Sequence, residues 1–177
     1  RFPENDVRAM GRAAGGVGGI SLHEGDEVVD MVIVDPKVEA LTLLTACENG
    51  FGKRTPVSEY RLQKRNGGGT INIKTTERNG FVVGMKAVTD EDDLVLMTQG
   101  GILLRTSACD LRAIGRATQG VRLINLKEGD RLISIERVVK EEDNGESLAN
   151  GEGTEDGATN DTAAGGTIAE GDVGAEQ

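Results

Sequence analysis

The same spacing of arginines occurs three times along this chain. An arginine is followed seven residues later by a second, four residues later by a third, and four residues after that by a glycine. The three sets are Arg1, Arg8, Arg12 and Gly16; Arg54, Arg61, Arg65 and Gly69; and Arg105, Arg112, Arg116 and Gly120. A repeat of roughly 50 residues is typical of propeller blades and related β units rather than of helical hairpins. The spacing therefore predicts a modular β architecture of three consecutive units.

Short aliphatic runs separated by turn residues support this interpretation. Residues 20–22 and 70–74 alternate apolar and polar side chains, which predicts half-buried strands. Further β-branched runs predict strands at residues 28–34, 41–45, 81–88, 94–98 and 132–139. Turn sequences such as 48–50 (ENG) and 99–101 (QGG) lie between them. Because no segment keeps an apolar period of 3.6 residues, the prediction is an all-β protein of four-stranded units.

The repeated arginines indicate a ligand. A packed repeat needs its apolar positions to recur, but packing gives no reason to repeat a guanidinium, which is rarely buried. A periodic, negatively charged ligand would explain the pattern, and nucleic acid is the first candidate. In the alternative interpretation, the arginines lie on strand edges and pair with acidic side chains. Asp6, Glu59 and Asp110, each two residues before the second arginine of its set, would be the partners.

Charge divides the chain into two parts. Residues 1–140 contain all 20 Lys and Arg and 19 of the 30 Asp and Glu, whereas residues 141–177 contain 11 acidic and no basic residues. Such a polar, acidic tail cannot bury enough apolar surface to fold, so we expect it to be disordered. The low isoelectric point of the whole chain thus says little about the repeat units.

The first copy of the repeat is shorter than the other two. An aliphatic strand and a glycine turn precede Arg54 and Arg105, but Arg1 has no such segment before it. We therefore expect this chain to be the C-terminal piece of a longer protein. We also expect one unit face to be exposed, because three units of a radial array do not close a ring.

Three motifs and the acidic tail resemble the C-terminal domain of the DNA gyrase A protein. The motifs are residues 52–60 (GKRTPVSEY), 71–80 (INIKTTERNG) and 114–121 (IGRATQGV), and the resemblance extends over nearly all of residues 1–140. It implies a propeller-like β-pinwheel of six blades that exchange strands, of which this chain holds the last three. The expected organisation is a truncated blade at 1–35, a second blade at 36–90, a third at 91–140 and the acidic tail at 141–177.

In that family a positively charged rim wraps DNA, which implies DNA contacts for the basic residues of the repeat. Residues 63–69 (QKRNGGG) look like a degenerate copy of the family's wrapping motif. Glycines there would let backbone N–H groups approach phosphate closely. The predicted DNA-binding residues are Arg8, Arg12, Arg61, Lys64, Arg65, Arg112, Arg116 and Arg122. Since the few aromatic residues do not interleave with the arginines, backbone tracking of a bent duplex is favoured over base stacking.

The resemblance also implies a cellular context. The parent complex would contain two gyrase A and two gyrase B polypeptides, and would use ATP to introduce negative supercoils as a bacterial, cytoplasmic type II topoisomerase. ATP and Mg²⁺ would bind outside this fragment, which is expected to have no catalytic residue, cofactor or metal site of its own. In the resembled family the nucleophilic tyrosine lies in the N-terminal region and follows an arginine, whereas the single tyrosine here, Tyr60, follows Glu59. The only histidine, His23, is expected to be an ordinary surface residue. We expect Cys47 and Cys109 to be free thiols, and no apolar run is long enough for a membrane span.

Two other functions are compatible with the residues. The paralogous topoisomerase IV protein has a related domain, although the regular recurrence of the motif favours gyrase. A propeller-like scaffold for protein interactions would also explain the repeat. It would bind its partner without involving the nine repeated arginines.

Overall fold

The computed structural model of the chain describes residues 1–138. The predicted tail at 141–177 and the last residue of the predicted strand at 132–139 lie outside the described residues. Within residues 1–138 there are three short 3-10 helices and seven strands, with no α-helix. The 3-10 helices are Glu4–Asp6, Val57–Glu59 and Ala108–Asp110. The strands are β1 (Thr42–Cys47), β2 (Phe51–Pro56), β3 (Val82–Val88), β4 (Asp93–Thr98), β5 (Leu103–Ser107), β6 (Val121–Arg122) and β7 (Leu132–Val138). The unit boundaries themselves stay predictions.

The strands form two antiparallel sheets. The first has the order β3-β1-β2-β6 and the second the order β5-β4-β7. Strand β6 lies in the sequence of the third unit but pairs with β2 of the second, so that Phe51 faces Arg122 and Gly52 faces Val121. This pairing is an exchange of a strand between neighbouring units, as expected for a pinwheel.

Strand β1 is buried along its whole length because neighbouring units cover both of its faces. Leu44 and Ala46 belong to an apolar cluster that also contains Leu94 and Ile135 of the third unit. Leu43, on the opposite face, packs with Val57 and Tyr60, and Val32 and Val34 of the first unit adjoin this cluster. The sequence of β1 (TLLTAC) contains no charged residue, which suits this position, since a strand covered on two sides needs no polar face.

The two interfaces between units are built from equivalent backbone hydrogen bonds. In the first, the N–H groups of Gln63, Asn66 and Ser21 donate to the carbonyls of Arg1, Gly19 and Gly67 at 3.1, 2.8 and 3.0 Å. In the second, the N–H groups of Ile114, Ala117 and Lys74 donate to the carbonyls of Arg54, Asn72 and Thr118 at 2.9, 3.0 and 2.8 Å. Each hydrogen bond of the first interface has a counterpart in the second that joins residues at the same repeat positions. The sequence repeat is therefore also a repeat of the geometry between units.

Three predicted strands are wrong as strand assignments. Residues 28–34 have no ladder partner, and in 20–22 and 70–74 only Ile20 and Ile73 form isolated bridges, to Gly67 and Thr118. In the third unit the counterpart of residues 70–71 is β6, which pairs with the second strand of the preceding unit. Residues 1–138 contain no equivalent of that strand before the first unit. Backbone donors and acceptors pair only where a partner strand is present.

The first unit exposes much of its apolar surface. Val28, Val29, Met31 and Ile33 are between 52% and 83% exposed. The expected open unit face is thus confirmed, and residues 28–34 form part of it.

Candidate nucleic-acid interface

The second arginines of the three sets, Arg8, Arg61 and Arg112, occupy equivalent places. Each comes two residues after a 3-10 helix and is exposed. Among residues 1–138 their guanidinium groups have no hydrogen bond, ion pair or ring contact. The alternative pairing with Asp6, Glu59 and Asp110 is therefore wrong for these arginines. Their charge is available to an external ligand.

The third arginines do not behave alike. Arg12 is exposed, whereas Arg65 and Arg116 are half-buried. The Nη1 group of Arg65 donates to the carbonyl of Gly18, and Nη1 of Arg116 donates to the equivalent carbonyl of Ile71 at 3.2 Å. The Arg116 guanidinium also lies over the ring of Tyr60, 5.9 Å from its centroid. Arg65 and Arg116 thus hold the loop of the preceding unit, a contact that the sequence did not predict.

Among the first arginines of the three sets, Arg1 and Arg54 also connect units. Arg54 is buried, and its Nη1 donates to the carbonyl of Ala108 at 2.7 Å. Arg1 makes the equivalent bond to the carbonyl of Val57 at 3.1 Å. Arg105 has no following unit among the described residues, and it pairs with Asp93 on the adjacent strand at 2.7 Å. Arg1 and Arg54 therefore act mainly in assembly, whereas Arg105 forms an ion pair within its own sheet.

The glycine that ends each set has the same backbone conformation in all three units. The φ angles of Gly16, Gly69 and Gly120 are +79°, +78° and +77°. This left-handed region is accessible to glycine without the steric cost that a Cβ atom imposes. At Gly120 a Cβ atom would also lie 2.5 Å from the carbonyl oxygen of Gly52. The glycine at position 120 thus lets its arginine loop pack against the backbone of the neighbouring unit.

Lys53 is a basic residue that the sequence did not single out for a structural role. Its side chain is fully buried, and Nζ donates to the carbonyl of Gly115 at 2.8 Å. Burial lowers the pKa of Lys53, and the Arg116 guanidinium lowers it further against the opposing effect of Glu59. Lys53 precedes Arg54 in an apparently basic motif. Neither side chain is available to a ligand.

The remaining predicted residues lie on the surface. Lys64 and Arg122 are exposed, and Arg122 lies over the ring of Phe51, 4.9 Å from its centroid. Arg78, which was not among the predicted residues, lies over the same ring at 4.6 Å. No aromatic residue interleaves with the arginines in the sequence, yet in the structure the Phe51 ring contacts two of them. Because this ring is buried, it is not available for stacking with nucleic-acid bases.

Groups suited to other chemistry are isolated in this part of the chain. Residues 1–138 contain no cluster of three or more His, Cys, Asp or Glu side chains that could hold a metal ion. The Tyr60 hydroxyl is buried and donates to Oδ1 of Asn72 at 2.6 Å. Burial raises the pKa of Tyr60. Cys47 and Cys109 are free thiols, as predicted. Among the described residues, no helix is long and apolar enough to cross a membrane.

Comparison with known proteins agrees with the geometry. A sequence profile described as "DNA gyrase C-terminal domain, beta-propeller" matches residues 1–35, 42–89 and 92–138. The DNA gyrase A protein of Staphylococcus epidermidis is 46% identical over 144 residues, which are 81% of this chain and 16% of that relative. The solved DNA gyrase A C-terminal domain superposes with a TM-score of 0.71 and 32% identity, over 78% of this chain and 46% of the other. The topoisomerase IV C-terminal domain gives 0.72 at 24% identity over 78% and 42%, a likeness of fold.

The exchanged strand, the repeated interfaces and the basic loops define a β-pinwheel built from propeller-like units. The chain belongs to the DNA gyrase C-terminal domain family. It spans 16% of the length of the Staphylococcus relative. The predicted fold class and family are both confirmed.

Proposed function

We propose that the described part of this chain binds duplex DNA through its phosphates and bends it along successive units. The observation that carries the proposal is the set Arg8, Arg61 and Arg112. These residues are exposed, have no side-chain partner within residues 1–138 and are equivalent by repeat, in units joined by equivalent hydrogen bonds. A duplex presents regularly spaced negative charges, and phosphate contact alone carries little sequence information. Binding is therefore expected to depend strongly on salt and weakly on sequence.

The contribution of the eight predicted residues is graded by their contacts. Arg8, Arg61 and Arg112 would bind phosphate most directly, together with the exposed Arg12, Lys64 and Arg122. Arg65 and Arg116 already donate to carbonyls of the preceding unit. An arginine has five donors, so each retains N–H groups for a phosphate that passes its loop. Such phosphate contacts would strengthen binding without being its main source.

In the complete protein, the bent DNA would be presented to a cleavage core located outside this chain. The assembly would comprise two gyrase A and two gyrase B polypeptides in the bacterial cytoplasm. ATP and Mg²⁺ would act in those other parts, and negative supercoils would result. The 46% identity to a gyrase A protein supports this proposal over the topoisomerase IV alternative.

A charge-matched pair of double variants tests DNA binding. Arg61→Ala with Arg112→Ala removes two charges of the recurring set that have no partner among residues 1–138. Each lost phosphate contact is expected to reduce the slope of log K against log salt by about 0.9, so the double variant should lose nearly 2. Lys37→Ala with Lys127→Ala removes the same charge from exposed positions outside the set. Binding of a random-sequence duplex is measured by fluorescence anisotropy over a salt series.

Equal slopes for both double variants would contradict the proposed contact set. Absence of duplex binding by the wild-type chain would overturn the proposal as a whole. The protein-interaction scaffold would then be the remaining interpretation.

A further inference from the structure

A small insertion interrupts the repeat in the second unit at residues 77–80, and the structure shows what it does. Its central residue, Asn79, is fully buried. The Asn79 Nδ2 group donates to the carbonyl of Lys74 at 2.9 Å and to that of Gln119 at 3.2 Å, while Oδ1 accepts from the N–H of Thr76 at 2.7 Å. Because Gln119 belongs to the third unit, the insertion is hydrogen-bonded across the interface between the two units.

This turn, residues 77–80, places Arg78 beside Arg122, a basic residue of the third unit. The ring of Phe51, on β2, lies under the guanidinium of Arg78 at 4.6 Å and under that of Arg122 at 4.9 Å. Arg122 is the cross-strand neighbour of Phe51 on β6. Both arginines are exposed, while the ring is 5% exposed. Two cations from different units are thus ordered by one buried aromatic side chain.

We propose that Arg78 and Arg122 form an anion-binding site for the phosphodiester backbone of DNA at this β2–β6 seam. An arginine that lies over an aromatic ring uses its planar face for that contact, so its N–H edges stay available to phosphate oxygens. Among the described residues neither guanidinium forms an ion pair. Within residues 1–138 the one hydrogen bond of the two guanidinium groups joins Nη1 of Arg122 to the neutral Oδ1 of Asn125 at 3.3 Å.

Nearby carboxylates do not neutralise the pair. The side chain of Glu48 accepts hydrogen bonds from Arg131 at 3.1 Å and from the N–H of Phe81 at 3.0 Å. Glu77, in the same turn as Arg78, is exposed and forms no ion pair with it. The site therefore keeps an excess of positive charge at a fixed position.

This site differs from the periodic arginines. The third unit has Ile102 at the position that corresponds to Phe51, and it has no counterpart of the insertion. The seam would thus add a contact that the repeat does not supply elsewhere in residues 1–138. The inference rests on the proposed DNA binding and identifies a further part of its contact surface.

Two substitutions in the full chain test the site. Arg78→Ala is expected to reduce the slope of log K against log salt by about 0.9 for a random-sequence duplex. Phe51→Leu keeps the net charge and should weaken binding about twofold to fivefold, because it removes the ring that orders both arginines. Arg78→Lys should give an intermediate loss, since an ammonium keeps the charge without the planar stacking face. Lys37→Ala, which removes one exposed charge elsewhere, is the matched control.

The outcomes separate this inference from the function on which it rests. If Arg78→Ala weakens binding no more than Lys37→Ala, while the Arg61 and Arg112 double variant does weaken it, the seam site is refuted and DNA binding stands. If wild-type protein binds no duplex, both are refuted. Should Phe51→Leu fail to fold, the exposed Arg78→Ala and Arg78→Lys variants still decide the result.

Discussion

Arg54 and Arg105 occupy the same position of the repeat in different surroundings, which makes them a matched test of assembly. Arg54 connects the second and third units, and its side chain is 7% exposed. Its Nη1 donates to the Ala108 carbonyl at 2.7 Å and its Nη2 to Oδ1 of Asp90 at 2.6 Å. Arg105 pairs with Asp93 within its own sheet, and its side chain is 61% exposed. We expect alanine to be costly at the first position and nearly neutral at the second.

The magnitude for Arg54→Ala follows from its two contacts. A hydrogen bond from a charged donor to a buried carbonyl contributes about 1.5–3 kcal/mol to stability. The pair with Asp90 adds about 0–1 kcal/mol, because that carboxylate is 70% exposed and solvent screens it. Nε of Arg54 is buried without a hydrogen-bond partner in the described structure. Replacing the arginine also removes this unsatisfied group, which offsets part of the lost stability. The expected destabilisation is about 2–3 kcal/mol, against about 0–1 kcal/mol for Arg105→Ala.

Urea unfolding followed by circular dichroism measures both variants. With a urea m value of about 1–3 kcal/mol/M, the midpoint should fall by about 1–2 M for Arg54→Ala and by a few tenths for Arg105→Ala. Arg54→Lys should recover only part of the loss, since an ammonium cannot span both acceptors as the planar fork does. Equal losses at the two positions would refute the view that burial between units, rather than the repeat position, determines the role of these arginines.

Three further predictions concern the tail, a thiol and the loop arginines. Removal of residues 141–177, with their 11 acidic residues, should tighten duplex binding at low salt, since a tethered polyanion competes with DNA; unchanged anisotropy titrations would exclude this role. Burial raises the pKa of the Cys47 thiol from 9.0 to about 11. Stability should therefore be intact below pH 9.0 and decline by about 2–3 kcal/mol towards pH 11, a component that urea unfolding of Cys47→Ala should lack. Arg65→Ala and Arg116→Ala should each reduce stability to thermal unfolding by about 1 kcal/mol; Arg12 is exposed and makes no interunit hydrogen bond within residues 1–138, so Arg12→Ala should cost nothing measurable.

Local sequence was sufficient for much of the fold. The segments rich in aliphatic residues that correspond to β1, β3, β4 and β7 were placed correctly, because a strand that packs against a core needs apolar residues on at least one face whatever its partner. The repeat also located the loops that end in Gly16, Gly69 and Gly120, since their positive φ angles favour one residue type. Residues 28–34 show where local reasoning failed. Their sequence permits a strand, but a strand forms only when a second chain segment satisfies its backbone groups.

For the candidate site, the sequence by itself determined which positions are basic and that their spacing recurs. Only the tertiary structure decided which of those charges remain free. Arg54, Arg61 and Arg65 belong to the same periodic set. Arg54 and Arg65 donate to carbonyl groups of neighbouring units, whereas Arg61 is exposed and has no such partner among the described residues. Because every residue has a carbonyl oxygen, the sequence does not indicate which carbonyl groups will accept these hydrogen bonds. The partners of a guanidinium are therefore known only once distant parts of the chain have been brought together.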